Sequence, residues 1–198
     1  MIKFLPFIYV GMKRIWLYIT VFAVLLLAGP RYLAAQVDPG QINSKLIARS
    51  VQAVLGTDQE VNWRKVTVPK EVRPKMKSRL KAKSTIPDTL FIGTVPEGDV
   101  TQYILPDIAP SRSEKFSYLL YFNEEREVTG VDVLEYRENY GYEIDYSYFR
   151  DQFKGKSNPE KIVFGRTIQN ISGATISARS LTNSVHDLMS IIKDIELP

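Results

Sequence analysis

The stretch SYLLYFNEEREVTGVDVLEY, residues 117–136, decides the fold class. Residues 117–122 and 127–136 are rich in β-branched and aromatic side chains, the composition of strands. Between them Asn123-Glu124-Glu125-Arg126 is polar and of hairpin length. The pair therefore reads as an antiparallel hairpin. Upstream, TLFIGTV (89–95) and QYILPDI (102–108) repeat the same character. Trp63, Val66 and Val68 allow one more short strand within 57–69. On either side of this run the period is helical. Ile42, Leu46, Ile47, Val51, Val54 and Leu55 form a stripe that ends at Gly56, a C-cap candidate. Residues 137–143 read as a loop and 147–153 as a short helix ending at Gly155. Leu181, Val185, Leu188, Met189 and Ile192 mark a C-terminal amphipathic helix, with Ser177 its expected N-cap. Helices, then strands, then a helix predict an α+β fold: an antiparallel sheet flanked by helices.

Three regions divide the 198 residues. Residues 1–36 form a leader, 37–88 a mainly helical extension, and 89–198 the principal domain. Within the extension, Val72, Met76 and Leu80 mark a second helical stripe. Residues 64–83 hold nine Lys/Arg against one acid, Glu71. Such a run reads first as a solvated helix face, and secondly as a docking patch for an acidic partner or anionic lipid.

The leader has its own chemistry. Lys13-Arg14 precede an unbroken apolar run at 15–28, Gly29-Pro30 end it, and Ala34-Ala35 precede Gln36. A charged start, a short apolar core and small residues are the pattern of an export signal, cleaved near Gln36. The run is also the core of an alternative, an uncleaved anchor, although a spanning helix needs about 20 apolar residues. Either reading places the body outside the cytoplasm, in the periplasm or an equivalent compartment.

Charge and composition exclude several classes of function. The leader carries four bases and no acids, which leaves 22 bases against 22 acids in the rest. The body is formally neutral, so nucleic acid is not an expected partner. With no Cys and one His, His186, the chain has no disulfide, no thiolate metal site and no Cys nucleophile. Neither a metal site nor a catalytic set is expected, and redox chemistry needs a carried cofactor. His186 reads as a surface-facing helix residue. The tyrosines at 136, 140, 142, 146 and 148 read as a cluster packing on or covering the sheet.

The most specific segment is ISGATIS, residues 171–177, directly before the last helix. Small residues let a ligand approach the backbone. A helix start offers unpaired N–H groups and partial positive charge, which favour phosphate. Thr175 and Ser177 add hydroxyls, and Arg179 a cation. The same residues also suit an ordinary turn followed by an N-cap, and spacing alone leaves both open.

SGATIS resembles the flavinylation motif of covalent FMN-binding domains, such as those in the C subunit of the sodium-pumping NADH:quinone reductase and the G subunit of the Rnf complex. VLEYRENYGYEI (133–144) is similar to the family's strand and Gly-x-Glu-Ile turn. Phe149 and the run Gln152-Phe153-Lys154-Gly155-Lys156 resemble its F…QF.GK segment, and Thr182 and Val185 suit its helix. The likeness spans roughly 117–192. Gln169 stands six residues before Thr175, where the motif often has Asp. The resemblance implies FMN joined through its phosphate to Thr175, with Ser172, Gly173, Ala174, Ile176, Ser177 and Glu143 shaping its site. It further implies an electron carrier or redox subunit rather than a stand-alone enzyme. The partners it implies are a membrane redox protein as electron donor or acceptor and a flavin transferase for maturation. A flavin-free docking or assembly module of such a membrane system is the alternative.

Other motifs carry less. Gly155-Lys156-Ser157 ends like a P-loop, but Arg150 stands where its first Gly belongs. Asn170-Ile171-Ser172 is a formal glycosylation sequon inside the candidate site. Glu135 and Glu138 read as a polar edge rather than part of a glycosidase pair, and Glu143 is the exception because it falls in the Gly-Tyr-Glu-Ile turn.

Overall fold

Alternating side chains build a sheet with two apolar faces, and one helix covers each. The computed structural model describes residues 37–74, 76 and 86–198. The export or anchor reading of 1–36, and five of the nine bases of the segment 64–83 together with Leu80, lie outside the described residues. Five strands follow in order: β1 Asn62–Thr67, β2 Thr89–Glu97, β3 Val100–Pro110, β4 Lys115–Phe122 and β5 Val128–Glu135. Each pairs antiparallel with the next, so the sheet order is the sequence order. Helices among the described residues include α1 Ser44–Leu55, the single-turn α2 Ser147–Arg150 and α3 Thr175–Ile192. The expected α+β class with an antiparallel sheet is thus observed, and β1 extends that sheet beyond residues 89–136.

Period-two alternation assigns each face. Ile104 on β3 and Leu119 and Tyr121 on β4 turn toward α1, where they meet Ile47 and Val51. Tyr121 OH and Ser50 Oγ, 2.7 Å apart, add a buried polar link between helix and sheet. Asn43 caps α1 by accepting from the Lys45 N–H at 3.0 Å.

The opposite face is the larger core. Leu105, Phe116 and Leu120 pack against Leu181, Val185 and Leu188 of α3. Phe149 and Phe153, 5.8 Å apart and edge-on, fill the same core from the segment after β5. One polar group is sealed into this interface. Asp107, 2 % exposed, accepts from Tyr118 OH at 2.7 Å and from Ser184 Oγ of α3. Burial pushes the Asp107 carboxyl above its ordinary 3.8 and the Tyr118 hydroxyl well above 10.0.

Two expectations need correction here. His186 is not surface-facing: it is 2 % exposed, with Nδ1 3.0 Å from Asp187 Oδ1. The flank of α3 beyond its apolar stripe is therefore buried too. The tyrosine cluster does not cover the sheet as a unit. Tyr136 packs on Phe116 with ring centroids 5.6 Å apart, whereas Tyr140, Tyr142, Tyr146 and Tyr148 are exposed.

At the far end of α3, Arg126 of the β4–β5 turn takes φ +60°. Its guanidinium donates to the carbonyls of Ile192 and Ile195 at 3.1 and 3.2 Å. It thereby satisfies acceptors that a helix end leaves unpaired. Among the described residues no helix is long and apolar enough to cross a membrane.

Candidate functional site

The site forms where the start of α3 meets the loop after β5 and the β3–β4 turn. Gly173 sets the approach. Its φ of +89° is left-handed, and a Cβ there would stand 2.5 Å from Glu143 Oε1. Glycine therefore suits both the left-handed backbone and the close approach to that carboxylate. Ala174 follows as the N-cap, and no side chain caps the helix. The first N–H groups of any helix lack intrahelical acceptors. Here an apolar cap leaves them without the usual oxygen.

This arrangement corrects the expected capping. Ser177 is not the N-cap; α3 begins at Thr175, so Ser177 sits in the first turn, 3 % exposed. Its hydroxyl lies 2.8 Å from Ser111 Oγ and 2.9 Å from Tyr136 OH. Ser111 and Tyr136 are themselves 2.8 Å apart, and Tyr136 OH donates to the Tyr140 carbonyl at 2.8 Å. Three hydroxyls from β3–β4, the end of β5 and α3 thus close a ring. Gly141, at φ +89°, fits beneath it, because a Cβ would collide with Tyr136 OH. Glu138 holds the same corner from outside, accepting from the N–H groups of Ser113 and Glu114 at 2.9 Å each. Those backbone bonds hold its carboxyl below the ordinary value.

Thr175 occupies the outer side of the same helical turn. Its side chain is exposed, and Oγ1 accepts from Asn170 Nδ2 at 3.2 Å. Ile176 beside it is 54 % exposed, whereas Ala174 is buried and Ser172 exposed. The Gln169 N–H donates to Gln152 Oε1 at 2.6 Å, tying the loop to the segment after α2. Arg179 extends over the Phe164 ring, 5.0 Å from its centroid.

Glu143 faces this turn from the loop after β5, half-buried, and its Oε2 is buried without a hydrogen-bond partner. Outside the glycine-lined corner, Tyr146 lies 5.9 Å from Tyr142 and 5.8 Å from Tyr148. Behind Ser111 a groove of about 490 Å³ opens, lined by Ile108, Lys115, Phe116 and Arg137 among others. The structure thus brings Glu143, Gly173 and the start of α3 into one corner. It turns Ser177 away from Thr175 and into the protein. Ser111, Tyr136 and Asn170 are members of the corner to which the sequence pattern gives no part in the site; Tyr136 and Asn170 stand out only in a tyrosine cluster and a sequon.

Residues 113–190 match the family model of the FMN-binding domain. This stretch belongs to the FMN-binding domain family. The match runs from the β3–β4 turn into the last turns of α3, so it contains every residue of the corner except Ser111. It agrees with the expectation drawn from SGATIS and its flanking segments. Among solved structures, the chain is similar to the C subunit of the Na⁺-translocating NADH-quinone reductase from Parabacteroides distasonis. Identity is 10 %, the TM-score is 0.48, and the alignment covers 77 % of this chain and 96 % of that one. No curated protein sequence matches.

The corner suits a flavin mononucleotide on three counts. Uncapped N–H groups favour a phosphate at the start of α3. Gly173 carries no side chain, so the loop backbone stays close to both Glu143 and the helix start. The partnerless Glu143 oxygen offers an acceptor to a polyhydroxyl group.

Proposed function

We propose that this chain is an exported flavoprotein that carries FMN as a phosphoester on Thr175. In this reading it relays electrons between a membrane redox protein and an acceptor. The observation that carries it is the exposed Thr175 hydroxyl on the first turn of an uncapped helix, inside a stretch of the FMN-binding family. Thr175 Oγ1 would lose its proton and displace a phosphate-ester leaving group from an activated flavin phosphate, a phosphoanhydride bond breaking as the Thr–O–P bond forms. The backbone N–H groups of 175–177 hold the phosphate charge, and Ser172, Gly173 and Ala174 keep the approach clear. Free FMN has no leaving group on its phosphate, so attachment requires an activated flavin phosphate and a transferase. When bound, FMN supplies the redox chemistry, and the protein supplies orientation and local charge.

A covalent link makes sense outside the cytoplasm, where a soluble cofactor would diffuse away. Residues 1–36 would direct the chain there as a cleaved signal or hold it at the membrane as an anchor. Residues 37–88 would extend the FMN-binding domain at 89–198, to which they lend α1 and β1. A stand-alone enzyme would need acid–base groups that this role does not.

The test is optical. Protein coexpressed with a flavin transferase should keep its flavin absorbance after unfolding in guanidinium and desalting. Loss of all colour at that step contradicts the reading.

A further inference from the structure

Among the described residues, one carboxylate oxygen of the loop after β5 is left without a partner. Glu143 Oε2 is buried without a hydrogen-bond partner, although buried carboxylate oxygens ordinarily have one. The two cations nearest in sequence are engaged elsewhere: Arg137 with Glu135, and Arg150 with Asp132 and Asp145. The carboxylate also occupies the side-chain space of Gly173, from which a Cβ would displace it. Gly173 precedes Thr175 by two residues, a span of at most about 7 Å along the chain.

This placement selects among the parts of the cofactor. A phosphate on Thr175 cannot be the partner, because two anions at contact repel. The ring system lies a whole sugar chain beyond the phosphate. The ribityl chain lies between them and carries the hydroxyl donors that an unpartnered carboxylate oxygen would accept from. Resting on the Thr175 reading, we infer that Glu143 Oε2 accepts a hydrogen bond from a ribityl hydroxyl. We infer further that its negative charge lowers the reduction potential of the flavin. Glu143 is then a positioning residue: it fixes the chain that aims the ring, and it opposes the arrival of electrons.

The experiment uses the full chain coexpressed with a flavin transferase, with FMN loading confirmed by intact mass. Wild type, Glu143→Gln and Glu143→Ala are compared by spectroelectrochemical titration and by flavin fluorescence anisotropy decay. Glu143→Gln retains an acceptor oxygen without charge, so its potential should rise while its anisotropy stays unchanged. Glu143→Ala removes both, so its potential should rise and a fast depolarising component should appear. Equal potentials for wild type and Glu143→Gln, or an unaltered decay in Glu143→Ala, would overturn the inference. A wild-type protein that gains no FMN mass overturns the attachment reading, and this inference with it.

Discussion

The side-chain amide of Asn170 donates to Thr175 Oγ1 at 3.2 Å. The bond uses a lone pair of the hydroxyl and leaves its proton directed away from the amide. Asn170 therefore orients the oxygen that the proposed attachment needs. Asn170→Ala should slow the gain of FMN mass in a timed reaction with the transferase. Both partners are exposed, so its unfolding free energy should move by less than about 0.5 kcal/mol. Equal rates for variant and wild type would show that Asn170 has no part in attachment.

The hydroxyl ring of Ser111, Tyr136 and Ser177 predicts a coupled stability effect. Ser177→Ala should cost about 1–2 kcal/mol, because it removes the hydroxyl that Ser111 and Tyr136 share rather than uncapping a helix. Tyr136→Phe should cost a similar amount. The double variant should cost clearly less than the two losses added together, since each already breaks the same ring. Urea unfolding of the four proteins measures this, and strict additivity would argue against a shared ring.

Burial of Asp107 beneath α3 makes stability depend on pH. Its folded value is raised above the unfolded one, so the native state holds its proton more tightly. Its contribution is fully present below the ordinary value of 3.8 and is lost as pH climbs through the raised folded value. Asp107→Asn retains an acceptor for Tyr118 and Ser184 and cannot ionise. Relative to wild type it should therefore gain stability as pH rises through that window, read from melting curves between about pH 4 and 8. A stability difference that stays flat with pH would place the titration elsewhere.

Arg126 joins a strained turn to the end of α3. Arg126→Ala should destabilise by about 1.5–3 kcal/mol through the loss of charged bonds to two carbonyls. Arg126→Gly loses the same bonds but relaxes the left-handed backbone, so it should be milder by about 1 kcal/mol. Chemical denaturation ranks the pair, and an Ala variant as stable as the Gly variant would remove the strain from this account.

Much of this fold is legible in local pattern. The hairpin at 117–136 and the stripe Leu181/Val185/Leu188/Ile192 follow from periods of two and 3.6, and both stand in the structure. Ser177 misleads because a Ser before an apolar run has the chemistry of a cap. The left-handed turn at Gly173 instead starts the helix three residues earlier, and the cap falls on Ala174. The partners of Ser177 are 66 and 41 residues away, beyond any local signal. Burial of His186 is hidden for a related reason, since its flank of α3 shows no apolar stripe. Composition also cannot separate Tyr136, packed on Phe116, from the four exposed tyrosines of the following loop. Glu143 stands out through its turn motif, but its contact with Gly173 depends on the folded loop.

Intact mass spectrometry of wild type and Thr175→Ala, each coexpressed with a flavin transferase, tests the central claim most directly. Alanine removes the side-chain oxygen at a solvent-facing position, so both proteins should fold and melt alike. The account predicts that wild type gains the mass of one FMN less water and that Thr175→Ala gains nothing. The same FMN mass on Thr175→Ala, or none on wild type under conditions that modify another family member, would contradict it.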